Sequence, residues 1–523
     1  MLPRFFLFCL VLCMAPAQAL STAQARAIAA GETDSRIAAL NQAAAQAEPD
    51  LAAFVQSLLD DAVKLTPEQL LRVSGSSVTD AITGQVASLP EGAEDVVNNN
   101  RMRGALQAAL AALQLLSPDL VARRAAVAQM SQQTLDAGQL PLLSRALAAE
   151  TDAGLQSSLA LMRAALLIEA PEATSRLEAA RQLAQASDPA VKSLLIARIA
   201  VEPDIAVRSA LAQALSGLER RLAWGERLGL LFTGISLASI LLLAALGLAI
   251  SYGLMGVINM AHGELMMVGA YATWLVQNAF RAWLPGAFDQ YLLLAVPASF
   301  LAAALVGALL ERSVIRWLYG RPLETLLATW GISLVLMQAV RSLFGAQNVA
   351  VENPAWLSGG VAVMGNLTLP FNRIAIIGFA LLVLAGVALL IAKTRLGLFV
   401  RGVTQNRRMA ACMGVNTARI DTYAFSLGAG IAGLAGCALS QIGNVGPDLG
   451  QSYIVDAFMV VVTGGVGQLA GTVIASLGLG LLNKLLEGWA GAVLAKIMVL
   501  LLIVVFIQKR PQGLFAMKGR SAE

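Results

Sequence analysis

Leu228-Gly-Leu-Leu-Phe-Thr-Gly-Ile-Ser-Leu-Ala-Ser-Ile-Leu-Leu-Leu-Ala-Ala-Leu-Gly-Leu-Ala-Ile250 is a run of 23 residues without a charge. At about 1.5 Å per helical residue it crosses a hydrocarbon core of about 30 Å. Outward from it the 523-residue chain falls into two parts of opposite character. Residues 20–227 carry 18 Lys+Arg against 23 Asp+Glu, a net charge of −5. Residues 228–523 carry 18 Lys+Arg against 10 Asp+Glu, a net charge of +8. The overall composition, 57% hydrophobic and 13% charged, therefore averages two unlike halves. Ordinary soluble domains are about one quarter charged, so a soluble enzyme of this length is excluded. No Lys/Arg run alternates with aromatics, which sets nucleic acid aside as a partner.

Further apolar runs fall at about 264–280, 291–311, 323–343, 373–392, 421–442, 454–486 and 491–508, giving eight to nine expected spans. The 454–486 run is interrupted at Gly464-Gly465-Val466-Gly467. Irregular backbone at membrane depth is tolerated only where protein or a water-filled path covers it, so this break is a pathway candidate. The loop 393–420 holds Lys393, Arg395, Arg401, Arg407, Arg408 and Arg419 and no acid. The loop 311–322 and the tail after 508 are also basic, which places all three in the cytoplasm. Counting back from them puts residue 227 outside. Residues 1–19 agree: Arg4, an apolar stretch and Ala17-Gln18-Ala19 read as a secretory signal peptide.

Residues 20–222 are rich in Ala, Leu, Gln, Arg and Glu at helical spacing. Thr66-Pro67, Ser117-Pro118-Asp119, Asp188-Pro189 and Pro203-Asp204 read as helix starts. The segments from Asp119, Asp188 and Asp204 share a cap, an apolar residue and a base, the pattern of HEAT-type helical hairpins. A generic helical bundle is the alternative. Either way the expected class is all-α: a polytopic helical membrane protein behind a soluble helical, HEAT-like domain. The expected boundaries are 1–19 for the signal peptide, 20–222 for a periplasmic helical domain, 223–515 for the membrane domain and 516–523 for a cytoplasmic tail. The Cys412 and Cys437 thiols read as small buried hydrophobes, and Asn98-Asn99-Asn100 as an exposed turn.

The sole histidine, His262, falls within six residues of Asn259 and Glu264 in an otherwise apolar stretch. Ionisable groups in a membrane usually face a protein interior or a cavity, so these three are candidate solute-path residues. The alternative is that they cap a helix break. Thr329 and Ser333, four apart, share a helix face and join them, with Gly464, Gly465 and Gly467 of the break. One histidine, no CxxC pair and no Cys/His cluster leave no catalytic constellation and no metal site, and no cofactor is expected. Within the basic loop, 405–413 reads as a short amphipathic helix ended by Gly414, a natural dock for a soluble motor.

The segments 252–271 (YGLMGVINMAHGELMMVGAY), 310–322 (LERSVIRWLYGRP), 394–436 and 464–471 (GGVGQLAG) follow in order, and Arg510-Pro-Gln-Gly-Leu-Phe closes the chain's apolar part. Over about 228–515 the chain resembles a permease of the branched-chain amino-acid family of ATP-binding-cassette importers. The resemblance implies a coupling helix that meets an ATPase at Arg407, Arg408, Ala410, Ala411, Gly414 and Asn416. It implies two ATPase subunits, a second homologous permease, a periplasmic solute-binding protein and the lipid bilayer as partners. The long leading helical part is similar to that of the family's urea permeases, which points to urea, with branched-chain amino acids or short amides as alternatives. The chain has no G-x(4)-G-K-[ST] and is no enzyme on this reading. A stand-alone channel or secondary transporter, and a sensor anchored by its spans, remain the competing classes.

Overall fold

The computed structural model describes residues 20–46, 50–67, 69–74, 77–90, 92–131, 137–256 and 259–515. The expected signal peptide, the 516–523 tail, Cys9, Cys13, Gly75 and Ser76 lie outside them. The chain divides into two compact units at Leu222/Ala223.

The first unit begins with α1 (Thr22–Ala29), α2 (Thr33–Gln46) and α3 (Leu51–Leu59). It then departs from the all-helical expectation. Strands β1 (Val63–Leu65), β2 (Leu70–Ser74), β3 (Ser77–Asp80) and β4 (Glu94–Asp95) form an antiparallel sheet in the order β3-β2-β1-β4. Thr66 starts no helix: its N–H donates to the Gln69 carbonyl at 3.0 Å and closes the β1–β2 turn. Helices follow as α4 (Asn100–Gln114), α5 (Leu120–Met130), α6 (Leu140–Ala149), α7 (Ala153–Leu167), α8 (Ala173–Leu183), α9 (Pro189–Val201) and α10 (Ile205–Met255). The asparagine run is no exposed turn. Asn98 is buried, and the Asn99 side chain accepts from Met102 N–H at 2.8 Å to cap α4. The capping carboxylates do act as expected: Asp119, Asp188 and Asp204 accept from Val121, Ala190 and Ala206 N–H at 3.0, 2.9 and 2.8 Å.

Three apolar clusters succeed one another along this unit, formed from residues 20–109, 111–162 and 164–222. A clamp recurs within the second and the third of these stretches. Arg123 grips both Glu150 oxygens at 2.8 and 3.1 Å and donates to the Ser117 and Pro118 carbonyls. Arg176 grips both Glu202 oxygens at 3.0 and 2.9 Å and donates to the Ala170 and Pro171 carbonyls. Burial alone would raise the Glu202 carboxyl, but the hydrogen bonds from Arg176, Asp204 N–H and Arg198 outweigh it and hold it at about 2. Arg123 likewise draws Glu150 below the usual carboxylate range.

The second unit takes the rest of α10 and adds α11 (His262–Trp283), α12 (Tyr291–Ser313) and α13 (Pro322–Phe344). A hairpin of β5 (Gly360–Met364) and β6 (Leu367–Pro370) leads into α14 (Phe371–Lys393). Then come α15 (Arg395–Gln405), α16 (Arg407–Cys412), α17 (Thr417–Ser440), α18 (Leu449–Gly464), α19 (Leu469–Ala490) and α20 (Ala492–Lys509). Among the described residues seven helices are long and apolar enough to cross a membrane: α10, α12, α13, α14, α17, α19 and α20. The eight to nine spans expected also counted α11 and α18. Helix α11 is long enough but carries His262, Glu264 and Gln277 in its buried face. Helix α18, at 16 residues, reaches about 24 Å at 1.5 Å per residue.

The helix α17 runs through the middle of this unit. Its membrane-length window is 83% buried, against 22% for α14. The least apolar of the seven is thus the most enclosed, and the most apolar turn their surface outward. Small residues make the enclosure possible. A Cβ on Gly428 of α17 would stand 2.7 Å from the Gly247 carbonyl oxygen of α10, so only two glycines let these backbones meet.

Candidate functional site

Helix α10 gives way to Gly256 at φ +64°, and α11 begins at His262. Ahead of α11, Asn259 Oδ1 accepts from Ala261 N–H at 3.1 Å, while its buried Nδ2 has no hydrogen-bond partner. The next N–H, of Met260, donates to the Thr329 hydroxyl at 3.2 Å, and that hydroxyl donates in turn to the Leu326 carbonyl at 3.1 Å. Glu264, in the first turn of α11 and 1% exposed, hydrogen-bonds the Ser333 hydroxyl and leaves Oε2 unpartnered. Four of the expected path residues, Asn259, Glu264, Thr329 and Ser333, thus converge where α13 meets the head of α11. They leave one amide donor and one carboxylate oxygen unused in a buried setting, where an unused polar atom is costly.

His262 turns away from them. Its Nε2 lies 3.0 Å from the Ala244 carbonyl of α10. A carbonyl only accepts, so Nε2 bears the proton and the ring serves as a peg between α10 and α11. Its ring edge fills the space beside Gly247, where a Cβ would come within 2.9 Å of Cε1.

The glycine break ends α18 at Gly464, with Gly465 at φ +99° and Gly467 at φ +76°. Protein covers it. A Cβ on Gly253 of α10 would stand 2.7 Å from Gly467 Cα. The 510–515 segment closes the other side, with Leu514 N–H donating to the Thr463 carbonyl at 2.9 Å.

In the basic loop the expected helix 405–413 is shorter and is broken from its neighbour. Asn406 leaves the helical region and accepts from Met409 N–H at 3.0 Å, so α15 stops at Gln405 and α16 starts at Arg407. Gly414 follows at φ +83°, and Asn416 caps α17 through Arg419 N–H at 3.1 Å. Arg408, Ala411 and Gly414 are exposed, as is Cys412, which is no buried hydrophobe; Cys437 is buried. Arg407 is held from behind. It pairs with Asp421 of α17 and lies 5.0 Å from the Tyr319 ring centre. Tyr319 donates to Glu311 at 2.7 Å, and Thr422 donates to the other Glu311 oxygen at 2.6 Å. Burial and the bond to Glu311 push the Tyr319 phenol upward. This cluster escaped the sequence reading, although Glu311 and Tyr319 both stand in the 310–322 segment.

A cavity of about 460 Å³ opens between α10, α17, α18, α19 and α20. Its polar lining includes Asp448, Asp456, Asn483, Lys484, Glu487 and Lys496. Lys484 pairs with Glu487 at 2.7 Å, and Lys496 with Asp456 at 3.5 Å.

Residues 230–507 match the family described as branched-chain amino acid transport system / permease component. The chain is 28% identical to the high-affinity branched-chain amino acid transport system permease protein LivH of Escherichia coli K12, over 54% of this chain and 94% of LivH. It is 28% identical to the corresponding BraD of Pseudomonas aeruginosa over the same shares. A shorter match, 37% identical over 22% of this chain and 35% of the relative, is to the autoinducer 2 import system permease protein LsrC of Salmonella paratyphi B. No solved structure matches the chain.

Proposed function

The chain belongs to the branched-chain amino acid transport permease family, a multi-pass inner-membrane class, and on that premise we propose that it is the permease subunit of a urea importer driven by ATP-binding-cassette subunits. The observation that carries the urea reading is the first unit. The family match begins at residue 230, so 229 residues stand ahead of the family's shared part, while 54% of this chain covers 94% of LivH. The urea permeases, which the chain resembles in this respect, carry such an extension. Urea needs no charged pocket. The unpartnered Asn259 amide and Glu264 oxygen, beside Thr329 and Ser333, supply the donor and acceptor that a neutral diamide requires.

On this reading residues 1–19 are removed as a signal peptide and 20–222 form a periplasmic domain that is HEAT-like in its helical part beyond the sheet. The clamps repeated at Arg123 and Arg176 support a repeat array there. Residues 223–515 form the permease domain, and the basic loops and 516–523 face the cytoplasm. Of the two ATPase subunits, one docks on the exposed Arg408, Ala411 and Gly414 surface around α16. A second homologous permease and a periplasmic binding protein complete the importer. The relatives' names favour a second reading, in which the cargo is a branched-chain amino acid.

Reconstitution with both ATPases, the second permease and the binding protein separates the two. ATP-driven uptake of labelled urea without leucine is the expected result. Uptake of leucine alone overturns the urea assignment, and uptake that proceeds without ATPase subunits overturns the importer itself.

A further inference from the structure

From the cavity lined by Asp456, Lys484, Glu487 and Lys496 we infer a second solute station, separate from the Asn259–Glu264 cluster, built for a small solute with no net charge that offers both donors and acceptors. The inference rests on the permease reading above. The cavity's 460 Å³ falls in the range of small-molecule sites. It is many times the roughly 30 Å³ that one water occupies, so a small solute enters with part of its hydration shell.

Four of the five charges on its wall form two opposed pairs, and the fifth, Asp448, stands at the rim. Lys484 and Glu487 are in direct contact at 2.7 Å. Lys496 and Asp456 stand 3.5 Å apart, beyond the usual hydrogen-bond range, so each keeps capacity for a third party. A cation approaching Asp456 meets Lys496, and an anion approaching Lys496 meets Asp456. A neutral dipolar molecule meets neither penalty: its donor turns to the carboxylate and its acceptor to the ammonium.

The rim is set in advance. The Val349 and Val445 backbones exchange hydrogen bonds at 2.8 and 2.9 Å, which brings Asn348 and Asn444 to one edge. Gly446 lets Asn348 and Asp448 close on the same spot, where a Cβ would stand 2.9 Å from Asp448 Oδ1. Two independent loops are thus tied together beside a void lined by both polar and apolar groups, a fixed recognition surface rather than a gap between helices.

The test places a thiol on the wall. Ser452→Cys in a Cys412→Ser background of the full importer, in spheroplasts, is labelled with a membrane-impermeant methanethiosulfonate. Labelling is timed with urea, leucine, guanidinium or formate. The inference expects the solute that the importer carries to slow labelling at least threefold, and guanidinium and formate to leave it unchanged. Asp456→Asn and Lys496→Met should each raise the protecting concentration about tenfold. Absence of labelling from outside, equal protection by the ions, or protection indifferent to both substitutions overturns it. Asn483→Cys serves if Ser452→Cys fails to assemble. ATP-driven uptake is measured on the same spheroplasts. Normal uptake without protection sinks the station alone, whereas uptake independent of the ATPases sinks the permease reading.

Discussion

Arg407, the first residue of α16, is ion-paired with Asp421, in the second turn of α17. The same guanidinium faces the Tyr319 ring, and Tyr319 is tied to Glu311 at the foot of α12. A six-residue helix is thereby bolted to the most buried helix of the second unit. If α16 is where the ATPase presses, Arg407 is the part that passes the push inward.

Arg407→Ala should therefore lower ATP-driven uptake tenfold or more while the ATPases still co-purify and still hydrolyse ATP within about twofold of normal. Arg407→Lys should recover little, since an ammonium lacks the planar fork that pairs and stacks together. Arg408→Ala should instead weaken co-purification. Equal effects of the two alanine variants on co-purification would refute the division of labour.

Gly253 and Gly378 offer a matched pair for packing. A Cβ on Gly253 would meet Gly467 Cα at 2.7 Å, whereas nothing lies within 4 Å of one on Gly378. Gly253→Ala should cost about 1–3 kcal/mol and lower the melting temperature in detergent. Gly378→Ala should be neutral or slightly stabilising. Similar melting temperatures for both would contradict the close approach.

Glu202 gives a pH signature. Its carboxyl titrates at about 2 in the folded chain and nearer 4.5 when free. A depressed carboxyl contributes stability that is complete above its unfolded value and lost as pH falls through the folded one. Thermal stability of the first unit should thus fall between about pH 4.5 and 2. Glu202→Gln, which leaves Arg176 buried without its anion, should cost about 3 kcal/mol at neutral pH and flatten that acid dependence. Calorimetry on the full chain reads both effects.

The Asn259–Glu264 cluster predicts a transport phenotype without a folding one. Asn259→Leu and Glu264→Gln should each reduce uptake about tenfold, with membrane insertion and melting temperature close to normal. A loss of melting temperature that matches the loss of uptake would mark these residues as structural caps, the role His262 fills through Ala244.

What was legible in the sequence followed strong local patterns. The run at 228–250, the capping aspartates and the convergence of Thr329 with Ser333 rest on composition, capping chemistry and helical periodicity. The sheet at 63–95 was not legible, because strands of two to five residues are too short to build an alternating signature. The stop at Asn406 was hidden because Gln405 and Arg407 are both good helix formers. His262 stood beside Glu264 in sequence, yet the two side chains leave α11 on different sides. The sequence pattern joins Asp119, Asp188 and Asp204, whereas the structural equivalence joins Arg123 to Arg176. Glu172 stands where Asp119 does and makes no side-chain cap bond, which disguises the match.

The two arginine clamps carry a consequence for how this chain could have grown. Arg123 and Arg176 lie 53 residues apart and their carboxylate partners 52, each gripping the carbonyls just ahead of its own helix. A segment that ends with the same internal clasp with which it begins is a unit of duplication. Excising or inserting one whole period should preserve the joints on either side. The length of the leading part is then an adjustable reach, open to change in steps of one module without redesign of the membrane part behind it.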